Sequence, residues 1–296
     1  KCKLSKFLKK NEKKIFTDLD IFYTFCKNEC ITITGTNGKS TTSQLLYEVL
    51  SKQKIDVKLV GNIGNPILSI RNVKKKTIFI VEASSYQLEY SKLFRSKYAA
   101  IINLSPDHIE RHGTIKKYIK AKFKLFKSQL KGNFAFVKKH DYLIKNHLKK
   151  NRYRGKIIKV DNKKTNIFLR NIKNEYFNSE SNKENLSFVI EILKYFKIKK
   201  SILIKTIQKF KGLKYRQQII FRNRSLTIIN DSKSTSFSSS IGSLKTAHKI
   251  YWLLGGIPKK GDKFKLSKKY FNNISAFVYG KNKKFFNKAL HGKIEY

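Results

Sequence analysis

Methionine is absent from all 296 residues, position 1 included, as expected of a fragment that lacks its natural start. Cysteine is nearly as scarce, with only Cys2, Cys26 and Cys30. Three thiols complete neither a four-ligand zinc pattern nor an even-numbered disulfide framework. Reduced structural thiols in a reducing compartment are the expectation. No apolar run approaches the roughly 20 residues that a bilayer crossing needs, and no signal peptide is recognisable. No membrane span and a cytoplasmic location are therefore expected.

Acidic residues are few as well, 19 against 66 basic ones, for a formal charge of +47. Such a surplus would suit a phosphate backbone if it were gathered on one face. Here it is mostly Lys, with little Arg, and it is spread along the chain among much Asn, Ile, Phe and Tyr. An AT-rich genome imposes that bias on any protein, whereas a dedicated nucleic-acid reader concentrates its basic residues. No nucleic-acid partner is expected. At 40% hydrophobic and 13% aromatic residues the chain is not disordered, and its length suits about two domains.

What is present is a series of short apolar runs, each ending in small or polar residues and followed by a helical pattern. The clearest are "CITITG" from Cys30, "VKLVGNIG" from Val57, "TIFIVEAS" from Thr77, "YAAIINLSPDH" from Tyr98 and "NFAFVKK" from Asn133. Continuous apolar runs between helices predict strands buried on both faces, hence a mostly parallel α/β sheet. Beyond residue 139 the sequence turns polar, and short antiparallel strands at the sheet edge are expected to about residue 180. Helices near 182–196 and 200–210 follow, then "KGLKYRQQ". A second strand-helix series reads "LTIINDSKST", "IYWLLGG" and "ISAFVYGK". A domain boundary is placed near residue 212. Three strands are few for a doubly wound domain, so the C-terminal domain is expected to be truncated.

The stretch "TITGTNGKSTTSQLL" carries the chemistry. The common phosphate loop separates its glycines by four residues, whereas Gly35 and Gly38 are separated by two, with Lys39, Ser40 and Thr41 following. It lies between an apolar strand and a helix whose Leu45, Leu46, Val49 and Leu50 form an inward stripe. A helix N-terminus offers free N–H groups and partial positive charge, and glycine lets backbone approach phosphate. Lys39 would reach the β and γ phosphates, and Ser40 or Thr41 would hold magnesium. An ordinary glycine turn is the plain alternative. Glu82 closes one run and His108 follows another, both at strand ends where open α/β sheets bind ligands. Either alone reads as a solvated or hydrogen-bonded loop residue, but beside the phosphate loop they favour a metal-nucleotide site.

The runs "TGTNGKST", "GNIGNP", "VEASSYQLE", "NLSPDHIERH" and "NDSKST", in that order, resemble the motifs of the Mur ligases. The short loop is that family's own version of the phosphate loop. "NIGNP", "SSYQLE" and "NDSKST" resemble most the branch that adds D-glutamate. The resemblance runs from about residue 14 to the end. It implies a fold of three parts: residues 1–20 as the remnant of a UDP-binding domain, 21–212 as a central ATP-binding P-loop domain with a mostly parallel sheet, and 213–296 as a truncated Rossmann-like α/β domain.

The implied activity is ATP- and Mg2+-dependent amide ligation in peptidoglycan synthesis. ATP phosphorylates the carboxylate of UDP-N-acetylmuramoyl-L-alanine, and the amine of D-glutamate attacks the acyl phosphate. A monomer acting on small molecules is expected. By the same resemblance, Gly35, Thr36, Asn37, Gly38, Lys39, Ser40 and Thr41 bind ATP. Glu82 and His108 are metal ligands, and Lys122 is a lysine that the family carbamylates to serve the second metal. Asn62, Ser84 and Gln87 match the UDP-substrate region. Asn182 and Asn185 match adenine contacts, although Ser179, Glu180 and Ser181 replace the usual Gly-x-His before them. Arg216 matches a hinge arginine that reaches ATP, with Tyr215 in place of the usual His. Asp231 matches a residue at the ATP phosphates, while Lys233, Thr235 and Lys259 match D-glutamate contacts. Lys260 leaves the last assignment open by one position. Lys39, His108, Lys122 and Lys233 are the candidate catalytic group. The alternatives are another Mur or folylpolyglutamate-type amide ligase and a nucleic-acid-dependent P-loop ATPase.

Overall fold

The computed structural model describes residues 7, 10–169, 172–259 and 262–296, and nothing is said of the side chains of residues 164, 166 and 167. Cys2 and Lys260 lie outside the described residues. Six parallel strands form the main sheet: β1 (Cys30–Thr34), β2 (Val57–Gly61), β3 (Ile78–Glu82), β4 (Tyr98–Ile101), β5 (Phe134–Lys138) and β6 (Lys156–Val160), in the order β2-β3-β1-β4-β5-β6. The first five are the runs read from the sequence. Their side chains alternate between two cores because successive residues of a strand point to opposite faces. Ile31, Ile33, Ile80, Ala100 and Phe136 enter the core beneath helices Lys39–Lys52, Glu180–Leu193 and Lys200–Lys209. Cys30, Phe79, Val81, Ala99, Ile101, Ala135 and Val137 enter the other, with Leu19, Phe22, Leu88, Tyr118, Phe123 and Ile144 from the helices on that side. With both faces covered, no strand of the centre needs polar alternation, which is why the runs read as continuous apolar sequence.

The stretch beyond residue 139 differs from expectation. It forms helix Tyr142–Lys150, the parallel edge strand β6 and helix Lys163–Leu169, not antiparallel strands. β6 reads "KIIKV" and is buried only at Val160, so its half-exposed edge position removed the apolar run that marked the others. "LTIIN" also differs. It supplies β8 (Thr227–Asn230), which pairs antiparallel with β7 (Gln218–Arg222) in a separate hairpin. β9 (Ile250–Gly255) and β10 (Ile274–Tyr279) pair in parallel as a third sheet. One face of that sheet packs with Phe237, Phe264, Phe286 and Leu290, while Tyr251, Leu253, Phe277 and Tyr279 are exposed on it. Cys26 and Cys30 are buried free thiols, as expected.

Chain order places the chemistry. From β1 the chain runs out to β2 on one side of the sheet, and from β4 to β5 on the other. The carboxyl ends of β1 and β4 therefore meet at a switch point, where open α/β sheets form their binding crevice.

The approach to β4 is fixed by Asp20, a wholly buried carboxylate on helix Asp18–Phe25. Its Oδ1 accepts hydrogen bonds from the N–H groups of Lys92 (2.9 Å), Leu93 (2.8 Å) and Phe94 (3.0 Å) and from Ser91 Oγ (2.8 Å). Burial pushes its carboxyl up, but the bonds from Leu93, Lys92, Phe94 and Ser91 outweigh burial and leave it below the ordinary value. Asp20→Ala strands three backbone donors and is expected to cost about 2–4 kcal/mol of unfolding free energy in urea titration. Because the folded state holds this proton less tightly than the unfolded chain, Asp20 stabilises above the ordinary carboxylate range of about pH 4. That contribution is lost as the pH falls through the lowered value, so the gap between parent and Asp20→Asn proteins should narrow in acid.

Candidate active site

The phosphate loop is held open by its neighbours across the switch point. Gly35 has φ of 152° and Gly38 has φ of 82°. A Cβ on Gly38 would meet Asn185 Oδ1 at 2.1 Å, and one on Gly35 would meet Ile102 Cγ1 at 2.6 Å. Both glycines are thus demanded by backbone angle and by space. Thr36 N–H donates to Asn103 O (3.0 Å), and Asn37 N–H to Asn103 Oδ1 (2.9 Å), while Asn103 Nδ2 donates to Asn37 O (3.0 Å). The Thr36 hydroxyl is 3.0 Å from Tyr118 OH and accepts from the Ser105 N–H (3.0 Å). The loop after β4 is therefore the clamp of the loop after β1.

Lys39 lies folded over this loop, its Nζ donating to Gly35 O (3.1 Å) and Thr36 O (2.8 Å). Burial pushes its amine down; Glu82 and Asp107 oppose that, while Arg216 and Lys259 add to it. Ser40 and Thr41 are buried in the first turn of the helix, and Thr41 Oγ1 is 3.3 Å from Tyr176 OH. Glu82 ends β3 nearly fully buried, and its Oε2 has no hydrogen-bond partner among the described residues. A buried carboxylate oxygen without a partner is costly, so this atom awaits a donor or a cation.

Lys122 is also buried, on helix Ile115–Lys127, although its neighbours in sequence include several surface lysines. Its Nζ donates a hydrogen bond to Thr34 Oγ1 (3.2 Å) and lies 4.9 Å from the centroid of the Tyr118 ring. Burial drives its amine far below the ordinary lysine value and Lys39 drives it further, against the opposing pull of Asp107 and Glu82. These four groups therefore feel one another's charge in one desolvated place.

His108 takes a left-handed backbone (φ 53°) before the short helix Ile109–His112. Its Nδ1 is 2.8 Å from Tyr86 OH, and its Nε2 is 3.4 Å from Asp107 Oδ2. Burial lowers its affinity for a proton, with Asp107 and Glu110 opposing and Lys259 assisting. Among the described residues, no three His, Cys, Asp or Glu side chains gather into a ready metal cage.

The remaining sequence candidates fall into three sets. Asn62 is exposed beyond β2, its N–H bonded to Glu82 O (3.0 Å). Ser84 and Gln87 use their side chains on each other as a capping box for helix Ser85–Tyr90, and Gln87 Nε2 also donates to Asp18 Oδ2 (2.7 Å). Asn182 and Asn185 are buried behind the phosphate loop: Asn185 packs on Gly38, and Asn182 Nδ2 donates to Tyr176 O (2.8 Å) and Gln217 Oε1 (3.0 Å). From the last third of the chain, Arg216 is half-buried within electrostatic reach of Lys39 and Asp231. Asp231 accepts from the Gln217 N–H (3.0 Å) and Ser243 Oγ (3.2 Å), and burial pushes its carboxyl up. Lys233 and Thr235 are exposed. Lys259 reaches across to Asp107, Nζ to Oδ1 2.7 Å.

Asp107, Asn103, Tyr86, Tyr118 and Gln217 were not picked out by the sequence reading. Asp107 had a signal, being a carboxylate beside His108 past a strand end, as Glu82 is at its own. Asn103 opens the run "NLSPDHIERH" but had no chemistry of its own to mark it, and Gln217 had no signal, since amides in loops are common and only the meeting of distant loops gives these two a task.

The Mur ligase middle domain matches residues 33–205, more than half of the chain. The chain belongs to the Mur ligase family. It is 31% identical over 301 residues to a UDP-N-acetylmuramoylalanine--D-glutamate ligase of Rickettsia felis, covering 95% of this chain and 66% of that protein. To the enzyme of the same name from Francisella tularensis it is 34% identical over 300 residues, covering 98% and 69%. The chain thus spans about two thirds of the length of these curated relatives. Among solved structures, MurF from Acinetobacter baumannii matches with a TM-score of 0.66 at 15% identity, over 94% of this chain and 69% of that one. MurF from Thermotoga maritima in complex with ADP matches with a TM-score of 0.66 at 14% identity, over 97% and 73%. The shared Mur ligase fold accounts for the six-stranded parallel sheet.

Folding lowers the proton affinity of Lys122, so the unfolded chain binds more protons from the lowered value up to the ordinary lysine value. Stability should rise with pH over that window. In carbon dioxide-free buffer, nitrogen-detected NMR of labelled lysine should show an amine that loses its proton at lower pH than the surface lysines, and Lys122→Met should remove that signal and flatten the rise. A Lys122 amine that titrates with the surface lysines would contradict this.

Proposed function

We propose that this chain is the ATP-handling and amino-acid-handling part of a ligase that joins D-glutamate to UDP-N-acetylmuramoyl-L-alanine. The observation that carries the reading is the desolvated group of Lys39, Glu82 and Lys122 around a clamped phosphate loop, with Lys259 reaching it from the last third of the chain. The name borne by relatives over 30% identical supports the choice of amino acid and nucleotide substrate. The division into residues 1–20, 21–212 and 213–296 belongs to the same proposal. It is supported by the separate cluster around Phe237, Leu254 and Leu290, although Leu19 and Asp20 already pack into the central unit. A monomer in the cytoplasm acting on small molecules, without nucleic acid, completes it. No helix of the described residues is long and apolar enough to cross a membrane.

Each step builds negative charge on oxygen, and cations placed in advance lower its cost. The backbone N–H groups of the loop and Lys39 would take the β and γ phosphates, Lys39 exchanging the carbonyls of Gly35 and Thr36 for phosphate oxygens. Arg216 and Asp231 would complete the ATP site, with Asn182 and Asn185 toward the adenine. Ser40, Thr41, Glu82 and His108 suit Mg2+ by their oxygen and imidazole donors, and the unpartnered Glu82 Oε2 fits that use. Bound there, Mg2+ supplies neutralising charge to the phosphate oxygens. Burial favours the unprotonated form of the Lys122 amine, which is nucleophilic toward carbon dioxide: nitrogen adds to carbon, one proton leaves, and a carbamate results that can join the metal ligands. Asn62, Ser84 and Gln87 line the side for the UDP-sugar peptide. Lys233 and Lys259, with Thr235, would hold the carboxylates of D-glutamate while its amine attacks the acyl phosphate and phosphate departs.

The deciding experiment is phosphate release by the full-length protein. Release is expected only with ATP, Mg2+, UDP-N-acetylmuramoyl-L-alanine and D-glutamate together. Equal turnover with L-glutamate or meso-diaminopimelate, or stimulation by DNA, would overturn the reading. Lys233→Ala should raise the D-glutamate requirement by about fivefold, since Lys233 is exposed and a solvent-exposed ion pair contributes up to about 1 kcal/mol. Its effect on ADP affinity should be much smaller. Carbon-13 bicarbonate should give a carbamate resonance that disappears in Lys122→Ala.

A further inference from the structure

Lys259, read above as a ligand for a carboxylate of D-glutamate, already has a carboxylate. Asp107 Oδ1 lies 2.7 Å from its Nζ, and the two side chains are 13% and 27% exposed. Asp107 comes from the loop after β4, Lys259 from the loop after β9, 152 residues apart. Among the described residues, a second ion pair to the last third, Glu175 with Arg222, is largely exposed. Asp107 is also engaged with His108, whose N–H donates to Oδ1 at 3.1 Å and whose Nε2 stands 3.4 Å from Oδ2. A charged amine partly withdrawn from water needs a partner, and here the protein supplies one of the same chemistry as the substrate.

We infer that Asp107 is a stand-in carboxylate that occupies Lys259 until an acidic amino acid displaces it, so that Asp107 sets the affinity and charge selectivity of the amino-acid site. This rests on the reading of Lys259 as a substrate ligand. A ligand that exchanges one carboxylate for another at Lys259 leaves the amine paired throughout. A ligand with no carboxylate to offer must either leave the pair intact or break it without replacement. The pair therefore selects against uncharged amino acids by a cost that only a carboxylate offsets. It also lowers apparent affinity for the right ligand, because only the fraction of molecules with Lys259 released can bind.

A double-mutant cycle separates this role from the general field of a negative charge in the cleft. Asp107→Asn keeps the shape and can still accept the His108 N–H. D-Glutamate dissociation constants would be measured by saturation-transfer NMR for the parent, Asp107→Asn, Lys259→Gln and the double variant. Asp107→Asn is expected to tighten D-glutamate by about five- to tenfold when Lys259 is present and to leave it unchanged when Lys259 is Gln. Equal tightening in both backgrounds would overturn the inference in favour of a field effect, and no tightening in either would overturn it outright. If Lys259→Gln alone leaves the parent's affinity for D-glutamate unaltered, or if the parent shows none, the reading of Lys259 as a substrate ligand is what fails.

Discussion

The structure depends on holding two lysine amines, Lys39 and Lys122, out of water around the carboxyl end of β1. Lys39 and Lys122 are both buried within reach of one another's charge, and each has lost part of its affinity for a proton. Lys39 is accommodated by two loop carbonyls, Lys122 by one hydroxyl and an aromatic face. An isolated charge would not remain in such a place. The nearby carboxylates of Glu82 and Asp107 keep the group from being wholly cationic, yet among the described residues one oxygen of Glu82 has no hydrogen-bond partner.

That condition is maintained by packing at some distance from it. The phosphate loop has few contacts of its own; its shape comes from Asn103, Ser105 and Tyr118, all on the segment that follows β4 or the helix beyond it. The path into β4 is in turn pinned by Asp20, which gathers the N–H groups of three successive residues. The first helix of the central unit is thereby linked through β4 to the loop clamp. Tyr86 adds a similar link, holding His108 at Nδ1 while its ring stacks on His112.

The last third of the chain meets the central unit through polar contacts. Gln217 takes hydrogen bonds from Ser179 and Asn182, and Lys259 takes Asp107. Its backbone there is unusual: Tyr215 and Gln217 both have positive φ, at 65° and 47°, which places Arg216 between two left-handed residues. Such polar, partly hydrated contacts are the kind expected where neighbouring units move against each other. Carboxylate exchange at Lys259 would couple such motion to the arrival of substrate.

The sequence alone determined five of the six strands of the central sheet, because burial on both faces demands continuous apolar runs that survive even a strong bias toward Lys and Asn. It also determined the phosphate loop, since Gly35 and Gly38 meet backbone and steric demands that no other residue meets. β6 and the β7–β8 hairpin were not legible, for exposed or half-exposed strands owe their pairing to neighbours and not to their own pattern. The resemblance singled out Lys122 among the lysines of its helix, and the tertiary structure added the physical distinction, because burial is a property of the face a residue occupies. The tertiary structure alone gave Asp107 and Asn103 their partners, Lys259 and Asn37, across long stretches of chain. Local sequence sets what a residue can do, and the meeting of distant loops decides which of many similar residues is placed to do it.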